Sequence, residues 1–574
     1  MKSVVCASLG VALVSVSSLA GAADLTDSRR LQSIDVFQLE YADDVQISPD
    51  GSRIVYVRIS YDIMTDRARR NLWVVNADGS SNRPLRSEAK NFSSPRWSPD
   101  GTRLAYVSAA EGSPQLYVRW MDSGQTALLT NLVEAPGAIA WSPDGKSLAF
   151  TQFVSAEKAP LAKAPPKPEG ATWAPPVKVI DSTIYRADGE GYLETGYTHV
   201  FTISAEGGTP RQITDGNFND GGPLSYLPDG KRLVFSANRG ADWELDPIES
   251  DVFSVDLATL KLEQLTTRDG PDNSPVVSPD GRRIAYLGFD DRLQGYQVTH
   301  LYVMDADGKN SRDVTAKFDR DIENPRWSAD GRAIYFAFDE RGAKKLGLVT
   351  LDGKVRTLAE NLGGTDLGRP YTSGMYSVAR NGRAAFTASS PSRPADVATV
   401  APGGAARVLT ALNDDLFGNK TLGQVKRIAW KSGHDQREIE GWVITPPDFE
   451  ASKKYPLILE IHGGPFTAYG PNYTTELQLM AAAGYVVLYT NPRGSTSYGE
   501  EFGNLIHHAY PGHDYDDLIS GVDAVIAQGY VDAENLFVTG GSGGGVLTAW
   551  IVGKTDRFRA AVVAKPVINW ASFA

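Results

Sequence analysis

Polar and apolar residues alternate with a period of two through most of the first 415 positions, in short runs that begin directly after a recurring turn. "RIVYV" follows the turn at 50–52 and "RLAYV" follows the turn at 100–102; each reads as a half-buried strand. The turns share one motif. "ISPDG" begins at 47, "WSPDG" at 97 and 141, "LPDG" at 227, "VSPDG" at 277 and "WSADG" at 327, with a worn copy, "ARNG", at 379. Proline presets the first turn position, aspartate bonds locally, and glycine accepts positive φ. The turn glycines Gly51, Gly101, Gly145, Gly230, Gly281, Gly331 and Gly382 are separated by 50, 44, 85, 51, 50 and 51 residues. "LWVVNADG" at 72, "LYVMDADG" at 301 and "LGLVTLDG" at 346 add a second hairpin signal between copies. Several strands per unit at this period predict β-propeller blades, and seven anchors predict seven blades. A β-sandwich offers no reason for a regular period.

The 85-residue spacing predicts one blade with an insertion around 155–200. "EKAPLAKAPPKPEGATWAPP" within it reads as an exposed extended loop. "YRADGEGYLETGYTHVF" follows, and its Glu190 and Glu194 are candidate acidic anchors for a substrate amine; a polar hairpin on the propeller rim is the plainer reading. "DADGKN" at 305 carries its glycine at the fourth position, where a calcium loop of the EF-hand type needs it at the sixth, so these aspartates are read as turn residues and no metal site is expected.

The pattern changes after about residue 416. Strand-like "GQVKRIAWKS", "IEGWVITPP" and "YPLILEIHGGP" give way to alternating helix and strand signals: "YTTELQLMAAAG", "YVVLYTNPRG", "DYDDLISGVDAVIAQG", "NLFVTGG", "SGGGVLTAWIVGKT" and "RAAVVAKPVI". This order predicts a mostly parallel sheet covered on both faces, with chemistry at the C-terminal strand ends.

Ser542 stands at such an end, in Gly540-x-Ser542-x-Gly544, the one G-x-S-x-G of the chain. A buried strand precedes it and a helix follows, which is the context a nucleophile elbow requires. Small neighbours let strand and helix pack closely around the bend, and the helix N-terminus favours negative charge beside the hydroxyl. His462-Gly463-Gly464-Pro465 follows another strand and bends over the same place. A backbone N–H from this loop, with that of Gly543, is positioned to hold an oxyanion. The His462 side chain is read as structural.

Composition narrows the partners. A net charge of −12 without a basic face argues against nucleic acid or an anionic membrane. Lys2, the apolar run after it and Ala20-Gly21-Ala22 form a signal peptide over residues 1–22, which places the protein in a periplasm or outside the cell. Cleavage removes Cys6, the single cysteine, and with it disulfide, thiolate and cysteine-metal chemistry. No further apolar run is long enough to span a bilayer.

"EIHGGPFTAYG", "TNPRGSTSYGEEF", "DYDDLISGVDAV", "GGSGGG" and the SPDG blades together resemble the prolyl oligopeptidase (S9) serine peptidases, in particular their acylaminoacyl-peptidase and dipeptidyl-peptidase-like branch. The resemblance implies a seven-bladed propeller over 41–415, an α/β-hydrolase domain over 416–574, and a segment, 23–40, packing near the hydrolase. It implies hydrolysis of short peptides, no cofactor, Ser542 as nucleophile, Gly543 as one oxyanion donor, and Gly464, then Gly463, as the other. His462 stands where several members carry a tyrosine, and Gly543 and Gly545 depart from the common "SYGGY" form.

The family order is Ser, Asp, His, but only 32 residues follow Ser542, with Asp556 and no histidine. The hydrolase domain is therefore expected to lack its C-terminal strands and the triad Asp and His, and the 574-residue chain to be inactive and poorly soluble. "HHAYPGH" at 507 precedes a helix and is expected to lie away from Ser542. An esterase on the same scaffold and a non-catalytic TolB-like binding propeller are the alternatives.

Overall fold

In the computed structural model, which describes residues 28–156, 162, 165–175 and 177–573, each SPDG segment is a turn closed by its own side chains. In the first copy Gly51 N–H donates to Ser48 O at 2.8 Å. Asp50 Oδ1 accepts from Ser48 Oγ at 2.5 Å and from Ser52 N–H at 3.0 Å. These bonds favour the ionised carboxylate and pull its pKa down to about 2. Gly51 itself lies at φ 77°, where a Cβ would be strained.

Among the described residues the strands between 41 and 408 group into successive four-stranded antiparallel units, at 41–86, 92–128, 137–212, 220–264, 272–313, 323–362 and 376–408. The last two are joined by one pairing, Leu362 with Ala388. The first unit packs back onto the last: Val45 and Tyr56 share a core with Ala385, Val397 and Leu412, and Ile47 N–H donates to Ser377 Oγ at 2.8 Å. The ring of a propeller is thereby closed.

The tryptophan of "WSPDG" ties neighbouring units together. Trp97 Nε1 donates to Gln46 O, Trp141 Nε1 to Arg96 O and Trp327 Nε1 to Val276 O, each at 2.9 Å. A buried indole N–H needs an acceptor, and here the preceding unit supplies it. The insertion leaves the third unit between Ser147–Ser155 and Gly196–Ser204 and carries a short hairpin, Arg186–Ala187 with Gly191–Tyr192. The described part of its proline-rich stretch is exposed and without regular structure. The signal-peptide reading, residues 1–22, and part of that stretch lie outside the described residues.

The second domain is one six-stranded sheet: β1 (Gln424–Lys431), β2 (Glu438–Thr445), β3 (Tyr455–Ile461), β4 (Val486–Asn491), β5 (Val531–Gly541) and β6 (Ala560–Ala564). The spatial order is β1-β2-β4-β3-β5-β6, antiparallel across β1, β2 and β4 and parallel from there on. Helix α1 (Thr475–Ala482) covers one face through Leu477 and Ala481 against Ile444 and Val487. Helices α2 (Asp514–Ile526) and α3 (Gly543–Lys554) cover the other, with Leu518, Val522, Leu547 and Ile551 on Leu459, Val486 and Val538. Among the described residues β6 pairs on one side only, and Val562, Ile568, Trp570 and Phe573 around it are exposed.

Residues 28–39 lie along the hydrolase: Arg30 bridges Thr421, its guanidinium donates to Ala482 O at 2.9 Å, and the Asp35 carboxylate pairs with Lys420 at 2.6 Å. The propeller meets the same domain through Arg341 on Glu440, Arg292 on Glu500 at 2.6 Å, and an arm over 367–372 that zips onto 468–475. In that arm Pro370 O accepts from Gly470 N–H at 2.7 Å and Leu367 O from Thr475 N–H at 2.8 Å.

Candidate active site

The end of β5 bends sharply into α3 at Ser542, whose backbone sits at φ 57° and ψ −118°. A non-glycine residue there is strained and persists only where its surroundings hold it. Ser542 N–H donates to Ala564 O on β6 at 3.1 Å, and Ser542 O accepts from Val546 N–H at 3.0 Å. The flanking glycines answer to packing. A Cβ on Gly544 would lie 2.2 Å from Ile461 O and 2.7 Å from His462 O, and one on Gly540 would lie 2.5 Å from Gly544 O. The start of α3 is thus pressed onto the end of β3, with the Ser542 hydroxyl at the positive end of a 12-residue helix.

The loop after β3 is held from three directions. Gly463 N–H donates to the Tyr371 hydroxyl at 2.8 Å. Gly463 O lies 2.7 Å from His462 Nδ1 and accepts from Thr467 Oγ1 at 2.8 Å. Because a carbonyl only accepts, Nδ1 carries the imidazole proton and Nε2 faces Ser495 Oγ at 2.9 Å. His462 is buried, and burial pushes its pKa down to about 4, so the ring is neutral near pH 7. The peptide joining Gly463 to Gly464 is planar and trans, so fixing Gly463 O fixes the opposite direction of Gly464 N–H. Among the described residues that N–H has no acceptor. Gly464 lies at φ 113°, and its carbonyl is 2.9 Å from where a Cβ of Gly543 would stand.

Of the two loop glycines expected to donate to an oxyanion, Gly463 has its N–H committed to Tyr371, while no described loop or turn acceptor takes the N–H of Gly464 or of Gly543. The glycine at 543 also has a local cause: a Cβ would be 3.0 Å from the Tyr510 hydroxyl, which donates to Gly543 O at 2.6 Å. The segment "HHAYPGH" therefore does reach the elbow, through Tyr510, contrary to the expectation that it lies away. None of its histidines bonds to the elbow. His507 Nδ1 accepts from Gly295 N–H of the propeller at 3.0 Å, His508 rests beside it at 3.9 Å, and His513 pairs with Asp516 at 2.8 Å. His199 and His300 pair with Asp220 and Asp313 in the propeller. Among the described residues no imidazole bonds to Ser542 Oγ.

Glu190 and Glu194 lie on the insertion hairpin, both exposed; Glu194 borders a cavity of ≈ 750 Å³ with Tyr185, Tyr192 and Trp243. No described contact joins either to the elbow. Among the described residues one group could hold a metal ion: ligand atoms of His434, His513 and Asp516 lie within 4.8 Å of one another, on the surface at the start of α2. Tyr371 and Tyr510 carry no signal in the sequence. Tyr371 comes from the propeller arm, 92 residues from its partner, and no motif marks it.

Residues 471–574 match the prolyl oligopeptidase family domain, Peptidase_S9, and residues 46–158 and 191–367 match the TolB β-propeller domain. A Bacillus subtilis protein named "Uncharacterized peptidase YuxL" is 31% identical over 557 residues, which cover 94% of this chain and 82% of that one. The chain belongs to the prolyl oligopeptidase (S9) family.

Among other S9 relatives, dipeptidyl-peptidase 5 of Porphyromonas gingivalis is 28% identical over 548 residues, covering 92% of this chain and 77% of the relative. The acylaminoacyl peptidase of Pyrococcus horikoshii superposes with a TM-score of 0.74 at 21% identity, over 93% of this chain and 79% of that structure, and shares the fold. A propeller joined to a hydrolase domain is thus the S9 arrangement of this chain, and peptidase chemistry is the activity its family supports.

Proposed function

We propose that this protein is a serine-type peptidase that cleaves short peptides through an acyl-enzyme on Ser542, under a seven-bladed propeller. The observation that carries the reading is the strained elbow at Ser542 flanked by the Gly543 and Gly464 N–H groups. In this reading Ser542 Oγ attacks the scissile carbonyl, the two N–H groups hold the oxyanion, and collapse releases the amine and leaves the acyl group on Ser542. Tyr371, His462 and Thr467 keep the Gly463–Gly464 peptide aimed, and Tyr510 holds the Gly543 carbonyl. Dipeptidyl-peptidase and acylaminoacyl-peptidase specificities are the two suggested by the relatives' names. The leader, with Lys2 ahead of an apolar run and small residues at 20–22, supports a periplasmic or secreted location.

A general base is needed to make the hydroxyl a competent nucleophile. With no imidazole among the described residues bonded to Ser542 Oγ, the 574-residue chain by itself is expected to be inactive. The test is hydrolysis of dipeptidyl and acyl-amino-acid anilides by this chain, beside labelling by a fluorophosphonate when a segment carrying Asp and His is appended. Labelling that survives Ser542→Ala, or anilide turnover by the 574 residues alone, would contradict the reading.

A further inference from the structure

The innermost strand of nearly every propeller unit carries one irregularity at the same place. Asp44, Ser94, Ala138, Gly222, Ser274 and Asn324 adopt positive φ, between 39° and 73°, and the strand register slips beside most of them. In four units proline follows, as Pro95, Pro223, Pro275 and Pro325. A bulge of this kind re-aims the next side chain, and the side chains after it line a cavity of ≈ 610 Å³ on the ring axis. In the second and sixth units that residue is arginine, in "SPRW" and "NPRW"; in the first, third, fourth and fifth it is Gln46, Ala140, Leu224 and Val276.

The two arginines are not equivalent. Arg96 is paired with Asp44, its Nη1 at 2.9 Å and 3.0 Å from the two carboxylate oxygens. Arg326 has no carboxylate partner among the described residues; its one described bond is from Nη1 to Pro325 O at 3.0 Å. It is open to water and lines the axial cavity, with protein gathered densely around it. That enclosure, and the Arg96 charge nearby, pull its pKa below the ordinary guanidinium value. Arg380 stands with it along the same cavity. A cation in such a place is costly without a counter-charge, and a guanidinium fork matches a carboxylate in two bonds.

We propose that Arg326, supported by Arg96 and Arg380, forms an anion site in the axial channel that takes the C-terminal carboxylate of a peptide. The site rests on the peptidase reading for the identity of its ligand, but not for its existence. Its position on the axis, within the ring that covers the hydrolase, suits a peptide threaded toward or away from the chamber.

The test is equilibrium dialysis of triglycine, triglycine amide and inorganic phosphate against the chain carrying Ser542→Ala, so that binding is read without hydrolysis and stands or falls separately from catalysis. The free acid should be retained about tenfold more tightly than the amide. Arg326→Gln should abolish that difference, and Arg326→Lys should keep much of it. Since the side chain lines open space, both variants should melt with the parent. Equal retention of acid and amide, unaltered binding in Arg326→Gln, or tighter retention of phosphate than of triglycine would overturn the proposal.

Discussion

Two glycine-lined bends govern this molecule, and they are built on different principles. At the SPDG turn the glycine is there for its backbone angle: Gly101 lies at φ 73°, and the nearest atom to an added Cβ is Pro49 Cδ at 3.4 Å. At the elbow the glycines are there for proximity: a Cβ on Gly544 would stand 2.2 Å from a carbonyl oxygen of β3. The turn is self-sufficient and can be copied down the chain. The elbow exists only where three strands and a helix converge, so it tolerates no local substitution.

Substitutions can break or sharpen this contrast. The largest effect is expected for Gly544→Ala, because backbone cannot move aside as a flexible side chain can. A loss of about 3 kcal/mol or more is expected, read as the urea midpoint of the hydrolase transition. A loss no larger than that of a turn glycine would remove the distinction.

A second test uses pH at the oxyanion loop. His462 is neutral in the native state down to about pH 4, whereas in the unfolded chain it protonates near 6.5. Its folded pKa is depressed, so between these values the unfolded state binds the extra proton. Stability from this site is full above about pH 6.5 and falls as pH drops toward 4, by about 2–3 kcal/mol in all. The stability gap between the parent and His462→Asn should therefore narrow by that amount from pH 7.5 to 4.5. A gap that stays constant would mean the ring is not held neutral.

The smallest effect belongs to the turn. Gly101→Ala should cost about 1–2 kcal/mol, the penalty of a Cβ in the left-handed region, and lower the propeller's melting temperature by a few degrees. A loss matching Gly544→Ala would show that the turn, too, depends on its surroundings.

The same contrast explains what the sequence discloses. Turn, strand alternation and elbow motif are each decided within about ten residues, so Gly51 through Gly382 and Ser542 are legible in the sequence alone. The commitment of Gly463 is not, because what disqualifies its N–H is a tyrosine on the far side of a domain interface. Tyr510 is hidden in the same way: its neighbours His507, His508 and His513 have the chemistry of bases, while the phenol between them makes the contact with Gly543. The arginines of "SPRW" and "NPRW" are legible as repeats, but their inward aim follows from a bulge that only strand pairing reveals.

The indole hydrogen bonds make the propeller a girdle of unequal stiffness. Tryptophan rivets fasten the first seam, the second and the fifth. The seam between the fourth and fifth units and the one that closes the circle are stitched without an indole: Ser225 Oγ accepts from Val277 N–H at 3.0 Å and Ser250 O from Asp272 N–H at 2.7 Å in the one, Ser377 Oγ from Ile47 N–H at 2.8 Å and Pro49 O from Arg380 N–H at 3.0 Å in the other. Breathing of the annulus should concentrate where no indole spans the joint, and it is there that a passing chain would find the wall most willing to yield.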